Sequence, residues 1–162
     1  MKPTIRTRGQ ALIETALTVA VLVLIGIGIV QFGYAFVELS MITNAARDGA
    51  RFGAARPNRT ACGCLQTGDS TQNTGNIPTL VRNELSNVMS AADANALTIS
   101  VAQTPNPCAS GACPCGGACA TPTPSTLRTV DVTVTGTVPY MFRLVGSGFT
   151  VNKLVRFRDE QL

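Results

Sequence analysis

One long apolar segment near the N-terminus constrains this chain more than any other feature. Residues 11–37 are almost entirely apolar, and Glu14 is the one charged residue among them. A helix of about 20 such residues spans the hydrocarbon core of a bilayer, because a helix satisfies its backbone polar groups internally. The segment therefore predicts a transmembrane helix at about 11–37, with the lipid bilayer as its partner.

Basic residues precede the apolar segment. Lys2, Arg6 and Arg8 lie in the first nine positions, and no acidic residue lies among them. The positive-inside rule then predicts a cytoplasmic N-terminus and a chain that emerges on the other side of the membrane. A cleaved secretory signal has the same order of regions, and residues 33–35 would provide its small-residue cleavage site. Glu14 argues against a signal peptide, because a carboxylate in an apolar segment is costly.

The helical pattern continues beyond the apolar segment. Apolar or small residues recur at steps of three and four from residue 36 to residue 54, and no proline interrupts residues 4–56. The pattern predicts one helix over residues 10–55, about 46 residues and about 70 Å long. Small residues repeat every fourth position in two stripes, which allow another backbone to approach closely, either from the chain's own domain or from a neighbouring subunit. The stripes are Ala45, Gly49 and Gly53, and Ala46, Ala50 and Ala54.

Arg47, Asp48 and Arg51 form a charged strip on the same helix. The two arginines are like charges four residues apart, so they do not stabilise one another. Such a strip is either solvated or paired with an acidic group of a neighbouring subunit. We therefore include both arginines, with Ala45, Gly49 and Gly53, among the candidate helix-packing residues.

The remaining residues, 56–162, predict a small exported domain. A helix is expected from residue 76 to about residue 92, and alternating apolar residues predict a strand at 97–101. A second strand follows at 127–138, and residues 142–157 supply a third, interrupted by Gly146-Ser147-Gly148. The fold class is α+β: a long N-terminal helix followed by one helix on a short antiparallel sheet.

Six cysteines lie in this domain, four of them in a proline-rich loop at 104–124. An even number of cysteines in an exported domain predicts disulfide staples, and the 15 possible connectivities remain open. Their spacing fits only in part the C-x₂₋₄-C pairs of structural zinc sites, so we expect neither a metal nor a cofactor. The candidates are Cys62, Cys64, Cys108, Cys113, Cys115 and Cys119.

Composition argues against most enzyme chemistry. The chain contains no His, which is the most common general base and metal ligand. It also lacks a phosphate-binding loop and a nucleophile elbow, so we expect a non-enzymatic protein without catalytic residues. Three of the 13 basic residues lie in the N-terminal nine, so the net charge of +4 predicts no nucleic-acid partner. Asp131 lies between two valines at an outward strand position, where we expect it to be solvated.

A short motif joins the basic N-terminus to the apolar helix. The residues from Gly9 to Glu14 are Gly-Gln-Ala-Leu-Ile-Glu, so a basic leader ends in Gly and Glu is the fifth residue after it. Phe32-Gly33 and the run from Asn44 to Arg51 complete the pattern. Over residues 8–54 the chain resembles the TadE-like minor pilins, or pseudopilins, of the tight-adherence secretion system.

The resemblance implies that residues 1–9 are a prepilin-type leader, which a prepilin peptidase removes between Gly9 and Gln10. It implies that Glu14 pairs with the N-terminal amine of an adjacent subunit, and that other pilin-like subunits and an inner-membrane assembly platform are partners. The mature chain would be a single-pass protein of a bacterial inner membrane, with its C-terminal domain in the periplasm or in an extracellular pilus. The cysteine-rich loop departs from the family pattern.

Two alternatives remain open at this point. The chain could be an exported binding module, membrane-anchored or secreted, whose cysteine-rich loop recognises a ligand. An exported redox or metal enzyme would rest on the cysteines alone. Within the family, the sequence does not separate a TadE-type role from a TadF-type role, or a tip subunit from a filament component.

Overall fold

The structure, a computed structural model, describes residues 5–55, 65, 67–104, 129–142 and 146–158, without the side chains of residues 5–8 and 67. The predicted α+β class is confirmed. All six cysteines, and with them the predicted disulfide staples, lie outside the described residues. In chain order the elements are α1 (Ile5–Ala55), α2 (Thr67–Ser70), α3 (Asn76–Ser86), α4 (Ala91–Ala96), β1 (Thr98–Thr104), β2 (Thr129–Pro139) and β3 (Gly148–Arg158).

The chain forms two compact units, Met1–Val37 and Glu38–Leu162. The division falls within α1, so the last turns of this helix belong to the second unit. In the first unit, the side chains from Gly9 onward are mostly exposed, including large apolar ones such as Leu12 and Phe32. From Gly9 to Ala55, α1 is long and apolar enough to cross a membrane, which is compatible with a single-pass anchor.

The sheet of the second unit is antiparallel, with the strand order β1-β2-β3. Val101 pairs with Val132, and Val132 pairs with Val155, so apolar residues of the three strands lie side by side on one face. Because side chains alternate across a strand, the opposite face carries mainly threonine, serine and charged residues. Three strands are present as predicted, and β2 ends at Pro139. β1 continues to Thr104, beyond the predicted end at residue 101, and β3 begins only at Gly148. The predicted strand residues 127–128 and 143–144 lie outside the described residues.

The single helix predicted at 76–92 is instead two helices. α3 ends at Ser86, and α4 begins after Ser90, whose hydroxyl accepts a hydrogen bond from the Asp93 amide at 3.1 Å. Serine is a favoured N-cap residue because its side chain satisfies an amide that the first helical turn leaves unpaired. This cap starts a new helix within the segment that the apolar pattern treats as continuous.

The core of the second unit lies between the last turns of α1, helix α3 and the apolar face of the sheet. Each element contributes residues at its own period, three to four in the helices and two in the strands. The fully buried residues include Ile42, Ala46, Ala50, Ile77, Val81, Ile99, Val132 and Val134.

Candidate functional site

The N-terminal motif lies within α1. Gly9, Gln10 and Glu14 are all exposed. A Cβ placed on Gly9 would meet no atom of the described residues within 4 Å, so packing among these residues does not require glycine there. Across the described part of the chain, the Glu14 carboxylate has no hydrogen bond or ion pair. Gly9 and Glu14 are therefore accessible to contacts with another protein chain.

Two threonines in the same apolar stretch satisfy their hydroxyl donors within the helix. The hydroxyl of Thr15 donates to the carbonyl of Ala11, and that of Thr18 donates to the carbonyl of Glu14, each at 2.8 Å. Threonine can bond to a carbonyl four residues back, which removes an unsatisfied donor from a lipid environment. In contrast, the Glu14 carboxylate cannot be satisfied in this way, because an ionised carboxylate only accepts hydrogen bonds.

Both small-residue stripes of α1 are buried in the second unit. A Cβ on Gly49 would overlap Val81 of α3. A Cβ on Gly53 would lie 2.9 Å from Ile77 Cδ1 and 3.0 Å from Val130 Cγ1. The contacts with Val81 and Ile77 are closer than real Cβ atoms make, and the contact with Val130 is tighter than most, so these glycines allow α1 to approach α3 and β2 of its own unit. Ala45 lies on the same stripe and belongs to the same core.

The charged strip lies away from this packing. Arg47, Asp48 and Arg51 are exposed. None of the three makes an ion pair or a side-chain hydrogen bond with the described residues. Of the five candidate helix-packing residues, the structure therefore buries Ala45, Gly49 and Gly53 and leaves the two arginines available to another chain.

Asp131 is buried, not solvated, so the sequence-based expectation for it is wrong. Arg156 donates to the Asp131 carboxylate through Nε and Nη2, each at 2.8 Å. Thr104 and Thr129 donate to the same carboxylate at 2.9 and 3.1 Å. The hydrogen bonds from Arg156 hold the pKa of Asp131 below its ordinary value, although burial acts in the opposite direction. Asp131 and Arg156 are directly opposite across β2 and β3, a proximity that only the strand register reveals.

Sequence reasoning also missed Asn73, which covers part of the outer edge of β1. The Asn73 amide donates to the Ile99 carbonyl at 3.0 Å, and the Ile99 amide donates to Asn73 Oδ1 at 2.8 Å. Asn73 has a φ of 61°, a left-handed conformation that asparagine tolerates better than most residues. Arg82 fixes it by donating to its carbonyl at 2.6 Å. An isolated asparagine in a Thr- and Gly-rich segment gives no distinctive signal in the sequence.

A family model described as TadE-like protein matches residues 9–51. Residues 9–51 of α1 are similar to this family. The predicted resemblance is thereby confirmed over this segment, which begins at Gly9, contains Glu14 and ends at Arg51. The match suggests a component associated with the pilus of a tight-adherence system, and the three strands of the sheet lie outside the matched residues. No curated protein and no solved structure shows a significant similarity to the chain.

Proposed function

We propose that the chain is a pilin-like subunit of a tight-adherence pilus, a minor pilin or pseudopilin without enzymatic activity. The observation that carries the proposal is the continuity of α1. One helix contains the motif from Gly9 to Glu14, the apolar stretch and the small-residue stripes, and it contains the whole segment that the TadE-like model matches. A subunit of this kind can hold its helix in lipid before assembly and exchange lipid for neighbouring helices afterwards.

The first step of the proposed mechanism is cleavage between Gly9 and Gln10 by a prepilin peptidase at the cytoplasmic face of the membrane. The open space around Gly9 supports this step, because glycine there has no packing role within the described residues. Cleavage creates an α-amine at Gln10, one helical turn before Glu14. Removal of the leader also removes three of the basic residues, so ten basic side chains remain against nine acidic ones.

The second step is recognition between subunits through Glu14. A carboxylate in lipid is costly unless a cation lies beside it, and the new amine of an adjacent subunit is such a cation. Glu14 is exposed and has no partner across the described residues, so it is available for that pairing. Breaking a buried pair leaves an uncompensated charge, so the pairing would fix the register of neighbouring helices.

The proposed location is a bacterial inner membrane. The basic residues before Gly9 support a cytoplasmic N-terminus by the positive-inside rule. The unit from Glu38 onward would then lie in the periplasm and, after assembly, on the pilus. Partners in this location would be the prepilin peptidase, other pilin-like subunits and the assembly platform.

The deciding experiment is the N-terminal sequence of the mature protein from cells with and without the prepilin peptidase. We expect Gln10 as the first residue only when the peptidase is present. A mature chain that begins at Phe36 would indicate a secretory signal peptidase, and an intact Met1 in both strains would indicate an uncleaved anchor; either result overturns the proposal.

Two variants separate processing from assembly. We expect Gly9→Leu to prevent cleavage. Gly28→Leu is a matched control in the same helix, because no atom of the described residues lies within 4 Å of its Cβ position, and we expect it to be cleaved normally. We expect Glu14→Ala to be cleaved but to yield few filaments, and Thr18→Ala, also exposed in this segment, to assemble normally. Normal processing of Gly9→Leu together with a normal filament yield of Glu14→Ala would contradict the mechanism.

A further inference from the structure

We propose that the outer edge of β3 binds an extended acidic segment of another protein chain, which adds a fourth strand to the sheet. β3 has 11 residues, from Gly148 to Arg158, and among the described strands it pairs with β2 alone. Across the described residues, its backbone makes no hydrogen bond beyond the ladder with β2. A free strand edge presents a row of amide and carbonyl groups that can pair with another extended chain.

The two edges of the sheet differ. At the β1 edge, Asn73 exchanges two hydrogen bonds with Ile99, and the Gln103 side chain accepts a hydrogen bond from the Leu65 amide at 3.3 Å. These contacts occupy positions that an added strand would need. β3 is longer than β1 and has no such cover among the described residues, so it is the edge at which a strand can be added.

The charge of β3 selects the partner. The strand carries Lys153, Arg156 and Arg158 and no acidic residue. Arg156 binds Asp131 but keeps 55% of its side chain exposed. Lys153 and Arg158 make no ion pair with the described residues. Opposite charges directly across two strands are favourable and like charges are not, so an added strand should carry acidic residues.

The position of Lys153 argues against a second copy of β3 as the occupant. Lys153 is the middle residue of β3, so a symmetric antiparallel pair would place it opposite its own counterpart. Lysine on an edge strand is one of the means by which natural sheets avoid pairing with themselves. Leu154, beside it on the opposite face, is 52% exposed and offers an apolar contact to an added strand. Arg156 and Arg158 share the face of Leu154, because side chains alternate along a strand. A partner that alternates apolar and acidic residues therefore presents its acidic side chains either beside these two arginines or beside Lys153.

The test measures by fluorescence anisotropy how a nine-residue peptide with blocked ends binds to the full chain in detergent micelles. The peptide alternates valine and glutamate. We expect saturable binding, with an affinity about tenfold higher than that of a peptide with lysine in place of glutamate. The double variant Lys153→Glu, Arg158→Glu should reverse this preference. The double variant Arg47→Glu, Arg51→Glu makes the same charge change on α1 and should leave it unaltered.

Strand pairing is tested separately from charge with two peptides that are N-methylated at alternate residues. Only one set of amides can face β3, so we expect one peptide to lose binding and the other to retain it. Hydrogen exchange at Val132 and Val134 in β2 verifies that each protein variant is folded.

Equal binding of the glutamate and lysine peptides, or equal binding of the two methylated peptides, would overturn the proposal. A wild-type dimer in sedimentation experiments that the glutamate peptide dissociates would also overturn it, because a second copy would then occupy the edge.

Discussion

The most informative single perturbation is Gly49→Ala, because it probes the closest approach of α1 to α3. A Cβ at this position would overlap Val81 Cγ2 and would lie 3.5 Å from Ile77 Cγ2. Val81 is fully buried, and a β-branched side chain in a helix has one strongly preferred rotamer. The new methyl group therefore cannot be accommodated by a side-chain rotation alone, and the two helices must move apart.

The expected magnitude is the difference between two opposing effects. Overpacking a core costs about 1–3 kcal/mol, whereas alanine stabilises a helix interior by about 1 kcal/mol relative to glycine. The difference is about 0–2 kcal/mol, and because Val81 is rigid we expect Gly49→Ala to destabilise the second unit by about 1–2 kcal/mol, the upper part of that range. Gly53→Ala should cost less, because the nearest atom is the flexible end of Ile77 at 2.9 Å. Gly33→Ala, whose Cβ position has no atom of the described residues within 4 Å, should not destabilise that unit.

Hydrogen exchange of the β2 amides in the full chain, measured in detergent micelles, reports this free energy, because unfolding of the second unit exposes these amides. A loss of about 1–2 kcal/mol accelerates exchange by a factor of about 5–30. Adding Val81→Ala to Gly49→Ala should relieve the overlap, so that the double variant loses less than the sum of the single changes. Unchanged exchange in Gly49→Ala, or additive losses in the double variant, would refute the packing argument.

Three further outcomes follow from the described contacts. Asp131→Asn should lower the protection of the β2 amides against hydrogen exchange at neutral pH. Because the pKa of the Asp131 carboxyl is lowered in the folded state, its stabilisation is present above about pH 4 and is lost as the pH falls through the folded-state pKa. Acidification through this range should therefore decrease the protection of the wild type and not that of the variant. Asn73→Ala should speed hydrogen exchange at the Ile99 amide and destabilise the second unit by about 1–2 kcal/mol. Asn73→Gly still permits a positive φ, so its stability in denaturant titrations should lie between those of the wild type and Asn73→Ala. Arg47→Glu with Arg51→Glu should reduce filament yield without altering β2 exchange.

The sequence predicts the elements of this fold well because each follows a simple period. The apolar stretch and the absence of proline predict α1, which runs from Ile5 to Ala55. Alternating valines predict β2, and Pro139 ends it. The break between α3 and α4 was missed, because apolar residues continue through it while the N-cap at Ser90 decides where a helix starts. A serine followed by an acidic residue three positions later is the signal that identifies this break.

Contacts between distant residues are harder to predict. Alternation correctly places Asp131 on the face opposite the valines, but it does not reveal that Arg156 lies directly across from it. The pairing depends on the register of two strands whose connecting residues set the offset. The same reasoning applies to Asn73, which approaches Ile99 only once the turn before α3 has formed.

The five candidate helix-packing residues of α1 lie on two different faces of the helix in the second unit, and the two faces have different roles. The stripe of Ala45, Gly49 and Gly53 packs within the unit, so substitutions there act first on folding. Arg47 and Arg51 are exposed and make no ion pair with the described residues, so their substitution acts first on contacts with other chains. The TadE-like match covers Ala45, Gly49 and both arginines. A loss of filaments in a variant of this segment therefore identifies a subunit contact only when β2 exchange remains unchanged.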